Sequence, residues 1–525
     1  SERAHKAIGY AQLLAAGDLA DPENSRFHQT IQEKVNDIFS ETLFFTLEIN
    51  RIDDDQLARQ MADPDLRHFK PWLDDVRVYR RHQLPDEVEE LLHDKSVTGR
   101  SAWSRLFEEQ MAHLRFDLGG EAKTLSDVLN RMSGKDAEGR KQAAAALAKG
   151  LGDNIHIFTL ITNVIAKDKE IEDLWRHYPR PISSRNLSNQ VEDEVVEALV
   201  TTIKDAYAEL AHRYYALKAR WFGVDKLNHW DRNAPLPESD DRIFTWSEAR
   251  DTVLAAYRRF DPNMADIAQR FFDEDWIDAR PRPGKNSGAF AHSVVPSAHP
   301  YILMNFHGRT RDIMTLAHEL GHGVHQVLAA DQGMLMANTP LTLAETASVF
   351  GEMLTFRSML ESAADARQRR VMLASKVEDM MNTVVRQVAF HQFEETVHAE
   401  RPKGELSAER LGDIWMDVQR SSLGPAFIFD EGYRVYWAYI PHFVHSPFYV
   451  YAYAFGDCLV NSLYDVYEKG FDGFQDRYRD MLKAGGTLRH KQLLAPFGLD
   501  AGDPDFWKRG ITLIASFIDQ LEDSF

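Results

Sequence analysis

Apolar residues recur at three- and four-residue steps through most of this sequence, and that spacing predicts a mainly α-helical fold. The same spacing predicts helices over 27–50 and 84–93, and the run QAAAALAKGL predicts one over 142–151. From Thr310, helical patterns continue almost to the C-terminus. The segment 192–221 predicts one long helix whose apolar face would contain Val195, Val196, Leu199, Ile203, Ala206 and Leu210.

The segment 274–308 breaks this helical pattern. The sequence RPRPG at 280–284 is incompatible with a continuous helix, because proline lacks the backbone N–H and clashes with the preceding turn. Two short runs follow, GAFA at 288–291 and YILMNF at 301–306, and they predict two strands. We therefore expect a small β-sheet within an otherwise helical protein.

A proline-containing segment is the candidate boundary between two domains. The sequence YPRPISSRN interrupts the helical pattern near Pro179–Pro181. We predict an N-terminal helical lobe over residues 1–180 and a second domain over 181–525. The alternative is a bend inside one helical body.

Composition excludes several classes of protein. The 525 residues include 61 Lys and Arg against 81 Asp and Glu, a net charge of −20, whereas a general nucleic-acid binder would carry a basic face. No apolar run approaches the ~18 residues of a membrane-spanning helix, so we expect a soluble chain without a membrane partner. Cys458 is the only cysteine, which excludes an internal disulfide and fits a reducing compartment. We therefore expect a cytoplasmic protein, although a chain that begins with Ser1 gives no evidence on N-terminal targeting.

The sequence HELGH at 318–322 indicates a metal site. His318 and His322 would lie one turn apart on one face of a helix, where both imidazoles can bind a single Zn²⁺. Glu319 lies about 100° round the helix, so it is placed to reach a metal-bound water rather than the metal. Bound metal lowers the pKa of water from ~15.7 toward ~7, and Glu319 would act as general base and then as general acid. We interpret His325 as a packed histidine rather than a ligand.

Glu345 is the candidate third ligand. It follows His322 by 345 − 322 = 23 residues, which leaves room for a loop and a return helix that begins after Pro340. Glu352 lies two turns further along the same face, where it could accept a hydrogen bond from the second nitrogen of a ligand imidazole. Both carboxylates could instead be solvated on an exposed face. However, the stretch 341–352 is mostly apolar, and a carboxylate buried there requires a partner.

These motifs resemble the zinc metallopeptidases of family M3, and specifically the oligoendopeptidase F branch. The resemblance covers about the last three hundred residues and is looser over 84–151. Relative to that branch the N-terminal region is short, so we expect a further helical segment before Ser1. The resemblance rests on HELGH at 318–322, LAETAS at 343–348 with Glu352, YILMNF at 301–306, IPHF at 440–443, SPFYVY at 446–451, DRNAPL at 231–236 and SGAF at 287–290.

The resemblance implies a mainly α, two-lobed, neurolysin-like metallopeptidase with a small β-sheet beside the zinc helix and a deep central channel. It implies one Zn²⁺ per chain and hydrolysis of internal bonds in short peptides, since folded proteins could not enter the channel. It also implies that His318, His322 and Glu345 bind the metal and that Glu319 is the general base.

A downstream segment matches the part of the family that stabilises the tetrahedral intermediate. The resemblance assigns this role to His442, Tyr449 and Tyr451, because a hydroxyl or imidazole N–H aimed at the developing oxyanion lowers the barrier by ~3 kcal/mol. The alternating aromatics of FYVYAYAF could instead pack a core.

The predicted strand pair would then bind substrate. An extended peptide can add to a strand edge through backbone hydrogen bonds, and we predict this edge at Gly288, Ala289 and Phe290, where small residues permit close approach. Two other functions remain open, namely a zinc carboxypeptidase or other exopeptidase on the same metal helix and a non-catalytic peptide-binding protein. Structural zinc sites are usually closed clusters rich in cysteine, which a lone Cys458 does not favour. The sequence leaves the oligomeric state open.

Overall fold

The computed structural model describes residues 1–238 and 242–524 and shows a mainly helical protein. Helices account for 70% of the chain, and the strands of the described residues form three small sheets. No helix in the described part of the chain is long and apolar enough to span a membrane. The predicted mainly α fold with a small β-sheet is confirmed.

The helices and strands are numbered in chain order. The α-helices of the described residues are α1 (Glu2–Gly17), α2 (Pro22–Arg51), α3 (Asp54–Gln60), α4 (Pro64–Arg67), α5 (Lys70–Arg77), α6 (Asp86–Ser96), α7 (Arg100–His113), α8 (Leu125–Met132), α9 (Ala137–Asp153), α10 (Ile155–Trp175), α11 (Ser183–Ser188), α12 (Asp193–Asp205), α13 (Arg213–Trp221), α14 (Trp246–Phe260), α15 (Pro262–Asp273), α16 (Thr310–Ala329), α17 (Leu341–Ala344), α18 (Thr346–Glu361), α19 (Ala366–Met380), α20 (Arg386–Glu400), α21 (Ala408–Leu423), α22 (His442–His445), α23 (Tyr451–Glu468), α24 (Phe474–Lys483), α25 (His490–Leu494) and α26 (Pro504–Glu522). The strands are β1 (Phe116–Leu118), β2 (Glu121–Lys123), β3 (Leu227–Asn228), β4 (Ile277–Asp278), β5 (Phe290–His292), β6 (Tyr301–Leu303) and β7 (Phe427–Ile428).

The chain divides into two compact units, each built from three separate segments. The predicted boundary at residues 180/181 lies inside the second unit, where Pro179–Pro181 belongs to the bend between α10 and α11. The division into domains over 1–180 and 181–525 and the alternative of a bend inside one helical body both stay predictions. The first unit contains Ser1–Arg80, Asp240–Ala364 and Leu459–Ala501, and the second contains Arg81–Ser239, Asp365–Cys458 and Gly502–Phe525.

The helices predicted from periodicity are present, with differences mainly at their ends. The predicted helices over 27–50, 84–93 and 142–151 correspond to α2, α6 and α9. The single helix predicted for 192–221 is divided into α12, a π-helical turn at Ala208–His212, and α13. A π-helical turn widens the backbone without ending the helix, so apolar periodicity alone does not reveal it.

The sheet predicted within 288–306 exists and has a third strand. Strand β6 is central, with β5 antiparallel on one side and β4 parallel on the other. Ala291 of β5 is paired with Ile302 of β6, and β5 is an edge strand. Helix α16 contacts both β5 and β6, so the sheet lies beside the helix that carries HELGH. The two residues of β4 are too few for a periodic signal.

Two closely packed helices, α16 and α18, lie at the centre of the first unit. A Cβ atom on Gly321 of α16 would overlap the carbonyl oxygen of Ala347 and lie 2.6 Å from Cα of Ser348, so only glycine permits this crossing. Next to it, the hydroxyl of Tyr257 donates a hydrogen bond of 2.6 Å to the carbonyl of Ala317. The tight crossing places α18 directly beside the HELGH turns of α16.

The second unit has an apolar core of its own. Its side chains come mainly from α7, α9, α10, α20, α21 and the 3₁₀-helical segment Glu431–Tyr439. Large buried rings such as Phe158, Trp415 and Tyr436 dominate this core, and each is at most 2% exposed. Rings of this size remove 150–250 Å² of surface from water, which makes them a principal source of stability.

Substitution of Gly321 tests the helix crossing. We expect Gly321→Ala to lower the free energy of unfolding by about 1–3 kcal/mol, because the added methyl group must separate α16 from α18. Urea unfolding followed by far-UV circular dichroism measures this change. Gly152→Ala in α9 is the matched control, since its Cβ would meet no atom within 4 Å and the lost backbone freedom should stabilise the helix by about 0.5–1 kcal/mol. Equal stability of the two variants would contradict the packing argument.

Candidate metal centre

His318 and His322 lie on successive turns of α16 and approach one carboxylate. Their ring centroids are 4.9 Å apart, and their Nε2 atoms lie 3.4 and 3.5 Å from Oε2 of Glu345. Glu345 occupies the junction of α17 and α18. Among the residues that the structure describes, these three form the only group of His, Cys, Asp or Glu with metal-ligand spacing. The structure therefore brings the three predicted ligands together.

The spacing of these donor atoms fits a single tetrahedral ion. Donors 2.0–2.1 Å from a tetrahedral Zn²⁺ lie about 3.3–3.4 Å from one another. The two distances from Glu345 Oε2 to the imidazole nitrogens, 3.4 and 3.5 Å, are close to that value. Two imidazoles and one carboxylate are also a donor set of catalytic zinc sites, which keep a fourth position for water or substrate.

Neighbouring side chains hold these donors in place. The hydroxyl of Ser348 donates a hydrogen bond of 2.6 Å to Glu345 Oε2, which restricts the carboxylate. Oε2 of Glu352 lies 3.4 Å from Nδ1 of His318, so the other ring nitrogen, Nε2, faces Glu345. The structure thus places Glu352 at the second nitrogen of a candidate ligand, where the sequence predicted it.

Glu319 lies next to the ligands but is not one of them. It is 6% exposed, and the backbone N–H of Ala291 on β5 donates a hydrogen bond to its carboxylate. Burial raises the pKa of Glu319 to about 7, although His318 and the Ala291 N–H favour the ionised form. A carboxyl with a pKa near neutrality can accept and return a proton at little free-energy cost.

The three histidines of α16 have different electrostatic environments. Burial lowers the pKa of His322 to about 4, so its imidazole is neutral. Burial acts on His318 in the same direction, but the hydrogen bond to Glu352 and the charge of Glu345 outweigh it and raise the pKa. His325 is buried, which lowers its pKa to about 4, and it lies outside the three-residue group. This position agrees with its interpretation as a packed histidine.

The predicted substrate edge is partly occupied by side chains of the protein. The Ala291 N–H is bonded to Glu319, and the Ala291 carbonyl accepts a bond of 3.5 Å from Gln326 Nε2. Gly288 donates its N–H to Asn286 Oδ1 at 2.8 Å. Both Gly288 and Ala289 precede the paired part of the strand, which begins at Phe290. Peptide binding at residues 288–290 stays a prediction.

His442 lies in a cluster with two tyrosines in the second unit. Its Nε2 atom is 3.3 Å from the hydroxyl oxygen of Tyr453, and its ring stacks on Tyr449 with centroids 5.9 Å apart. Tyr449 also meets Tyr453 edge-on, at 5.3 Å between centroids. Burial lowers the pKa of His442, and nearby Arg386 acts in the same direction, so the imidazole is neutral. The cluster contains two hydroxyls and one imidazole.

Tyr451 does not belong to this cluster, although the resemblance groups it with His442 and Tyr449, and its role in oxyanion stabilisation stays a prediction. Its side chain is fully buried, and its hydroxyl accepts a hydrogen bond of 2.8 Å from Asn189 Nδ2. The cluster contains Tyr453 instead, a residue to which the sequence assigned no role. Residue spacing gave no signal for this, because Tyr449 precedes α23 and the rule that residues four apart share a helix face does not relate it to Tyr453.

Comparison with known proteins extends over almost the whole chain. The family described as Peptidase family M3 matches residues 131–513, and the one described as Oligopeptidase F matches residues 48–116. Oligopeptidase PepF of Bacillus subtilis (strain 168) is 26% identical over 536 residues, which cover 99% of this chain and 79% of that protein.

Solved structures share the fold. A protein from Chlamydophila abortus superposes with a TM-score of 0.89 at 23% identity, over 99% of this chain and 88% of that one. The oligoendopeptidase-F of Enterococcus faecium gives 0.76 at 22% identity, over 100% and 91% of the two chains. The family match at 131–513 includes the candidate metal centre and the His442 cluster. The chain therefore belongs to peptidase family M3 and is a metallo-oligopeptidase.

Proposed function

We propose that this protein is a zinc-dependent oligoendopeptidase that cleaves internal bonds of short, unfolded peptides. The observation that carries the proposal is the meeting of His318, His322 and Glu345, with the buried Glu319 beside them. The relatives named oligopeptidase and oligoendopeptidase support the substrate class and the internal position of cleavage. Membership of a peptidase family argues against the non-catalytic alternative.

The proposed reaction uses the residues of the first unit as follows. Zn²⁺ held by His318, His322 and Glu345 would polarise the peptide carbonyl and lower the pKa of water. Glu319 takes a proton from the attacking water at its carboxylate and returns it to the departing amide nitrogen. Glu352 keeps His318 oriented with Nε2 toward Glu345.

We assign the stabilisation of the oxyanion to the His442 cluster. The family resemblance supports a role for this segment, and the 3.3 Å contact supports Tyr453 as the partner of His442. Tyr449 lies against both rings and remains a candidate donor. A neutral imidazole and a phenol can each direct an N–H or O–H at a developing negative charge, which is the requirement for this role.

A cytoplasmic location is also proposed. Its support is that the sequence contains a single cysteine, Cys458, whose side chain is buried. Such cysteine usage fits a compartment in which thiols stay reduced.

Substitution of Glu319 tests the reaction directly. We expect Glu319→Gln to retain about one Zn²⁺ per chain and to lower kcat at least 10²–10⁴-fold, because the amide cannot accept the proton. The substrate is a quenched fluorescent peptide that is N-acetylated and C-amidated, and metal content is measured by mass spectrometry. Glu361→Gln is the control, since Glu361 is exposed and bonded to Arg259. Full zinc occupancy with wild-type turnover in Glu319→Gln would contradict the role of Glu319 as general base. Failure of the wild type to cleave the blocked peptide would favour an exopeptidase.

The pH dependence of metal binding tests the ligand set. Protons compete with Zn²⁺ for the imidazoles, and the raised pKa of His318 lets it hold a proton to a higher pH than an ordinary histidine. We therefore expect zinc affinity to fall between pH 8 and pH 6 in a competition assay with a chromophoric chelator. Glu352→Gln should bind about 10–100-fold more weakly at pH 8, because it loses the carboxylate that orients His318. An affinity that does not change with pH, or an unaltered variant, would contradict this assignment.

Two tyrosine variants separate the proposed donor from its buried neighbour. We expect Tyr453→Phe to lower kcat about 10²–10³-fold, as loss of an oxyanion donor does. Tyr451→Phe removes a hydroxyl bonded to Asn189 and should mainly lower the free energy of unfolding, by about 1 kcal/mol. Steady-state kinetics and thermal melts on both variants measure these effects. A larger loss of kcat in Tyr451→Phe than in Tyr453→Phe would reverse the assignment.

A further inference from the structure

The backbone immediately before the tyrosine cluster has a rare conformation. Phe448 has φ of +59°, a left-handed region that a residue with a bulky side chain seldom occupies. Its side chain is 1% exposed and packs against two buried histidine rings, His391 at 5.9 Å and His398 at 4.9 Å between centroids. Such a conformation costs free energy and persists only where surrounding groups enforce it.

One of the enforcing groups is Glu394 of α20. Its Oε1 atom accepts a hydrogen bond of 2.8 Å from the backbone N–H of Phe448. The side chain is 2% exposed, and its Oε2 atom is buried without a hydrogen-bond partner in the described part of the chain. A buried carboxyl with an unsatisfied oxygen lowers the stability of the protein. The presence of Glu394 at this site would be explained if it holds the backbone of Phe448 in place.

Two arginines hold carbonyl groups of the same segment. Arg185 of α11 donates from Nε to the carbonyl of Pro447 at 3.3 Å. Arg100 of α7 donates from its guanidinium to the carbonyl of His445 at 2.8 Å. Side chains from three helices therefore hold residues 445–448, and Glu394 is the one that binds the strained residue itself.

We propose that Glu394 is a positioning residue of the peptidase. It holds Phe448 in the left-handed conformation and so sets the positions of Tyr449 and Tyr453 beside His442. The inference rests on the proposed role of the His442 cluster in oxyanion stabilisation. Glu394 acts through this backbone and does not itself contact substrate.

Two substitutions of Glu394 separate positioning from packing. Glu394→Leu removes the oxygen that accepts the Phe448 N–H and replaces the carboxyl side chain with an apolar one of similar size. Glu394→Gln keeps a carbonyl oxygen for the Phe448 N–H, and it is a close mimic because burial raises the pKa of Glu394 to about 8 and favours the uncharged carboxyl at pH 7. A displacement of about 1 Å in a catalytic group can lower the reaction rate about 10²-fold. We therefore expect Glu394→Leu to lower kcat about 10²-fold with KM nearly unchanged. Glu394→Gln should retain most of the wild-type kcat.

Asn163→Leu is the matched control in the same unit. Asn163 is 2% exposed and, like Glu394, accepts a backbone N–H through its side chain, from Leu406 at 2.8 Å. Its loss should lower the melting temperature and leave kcat unchanged. A structural role of Glu394 alone would make the leucine variants at 163 and 394 alike, with lower stability and normal kcat.

Hydrogen exchange gives a second measurement that does not depend on activity. We expect the segment 445–453 to lose amide protection in Glu394→Leu and to keep it in Glu394→Gln. If the leucine variant does not fold, Glu394→Asp, which withdraws the acceptor by one methylene group, should show the same loss in smaller degree.

The outcomes distinguish the two proposals. Wild-type kcat in a folded Glu394→Leu protein, or failure of Glu394→Gln to restore kcat, would overturn the inference. If Tyr453→Phe leaves kcat unchanged while Glu394→Leu still exposes the segment to exchange, the proposed role of the cluster is wrong and the control of its backbone by Glu394 stands.

Discussion

The close crossing of α16 and α18 is the contact on which the candidate metal centre depends. HELGH alone places two imidazoles on one face, but a third donor must come from elsewhere in the chain. Because Gly321 has no side chain, the backbone of α18 can approach α16 and bring Glu345 to within 3.5 Å of both Nε2 atoms. The same approach places Glu352 against the other nitrogen of His318. The glycine within the motif is therefore as necessary to the geometry as its histidines.

This packing concentrates negative charge around the imidazoles of His318 and His322. Glu319, Glu345 and Glu352 all lie at the centre, and burial disfavours the ionised form of Glu319. Burial is the main cause of the raised pKa of Glu319, with the charge of Glu345 acting in the same direction. The raised pKa of His318, to which Glu352 and Glu345 contribute, reflects this concentration of negative charge. A divalent cation would relieve it, since its charge compensates two carboxylates at once. The electrostatics and the donor spacing thus favour the same occupant.

The sequence could predict what depends on local periodicity. Helices α2, α6 and α9, the strands around Ala291 and Ile302, and the shared face of the HELGH histidines all follow from residue spacing within one element. It could not delimit the two units, because each assembles segments that are distant in sequence. The position of Tyr451, away from His442 and Tyr449, depends in the same way on packing that the sequence does not show. Both tyrosines fit the same aromatic pattern, and only the direction in which α23 begins decides which one is buried against Asn189.

Local rules fail where a conformation depends on distant groups. No propensity predicts a phenylalanine at positive φ. Glu394, which binds Phe448, is 54 residues away in sequence, and Arg100, which binds the nearby carbonyl of His445, is 345 residues from that residue. Likewise, no pattern predicts that the N–H of a strand residue is bonded to a buried carboxylate, as Ala291 is to Glu319. Both exceptions lie beside the groups assigned to the reaction. Natural sequences tolerate such local conflict mainly where function requires it, so both exceptions are consistent with the roles proposed for the groups beside them.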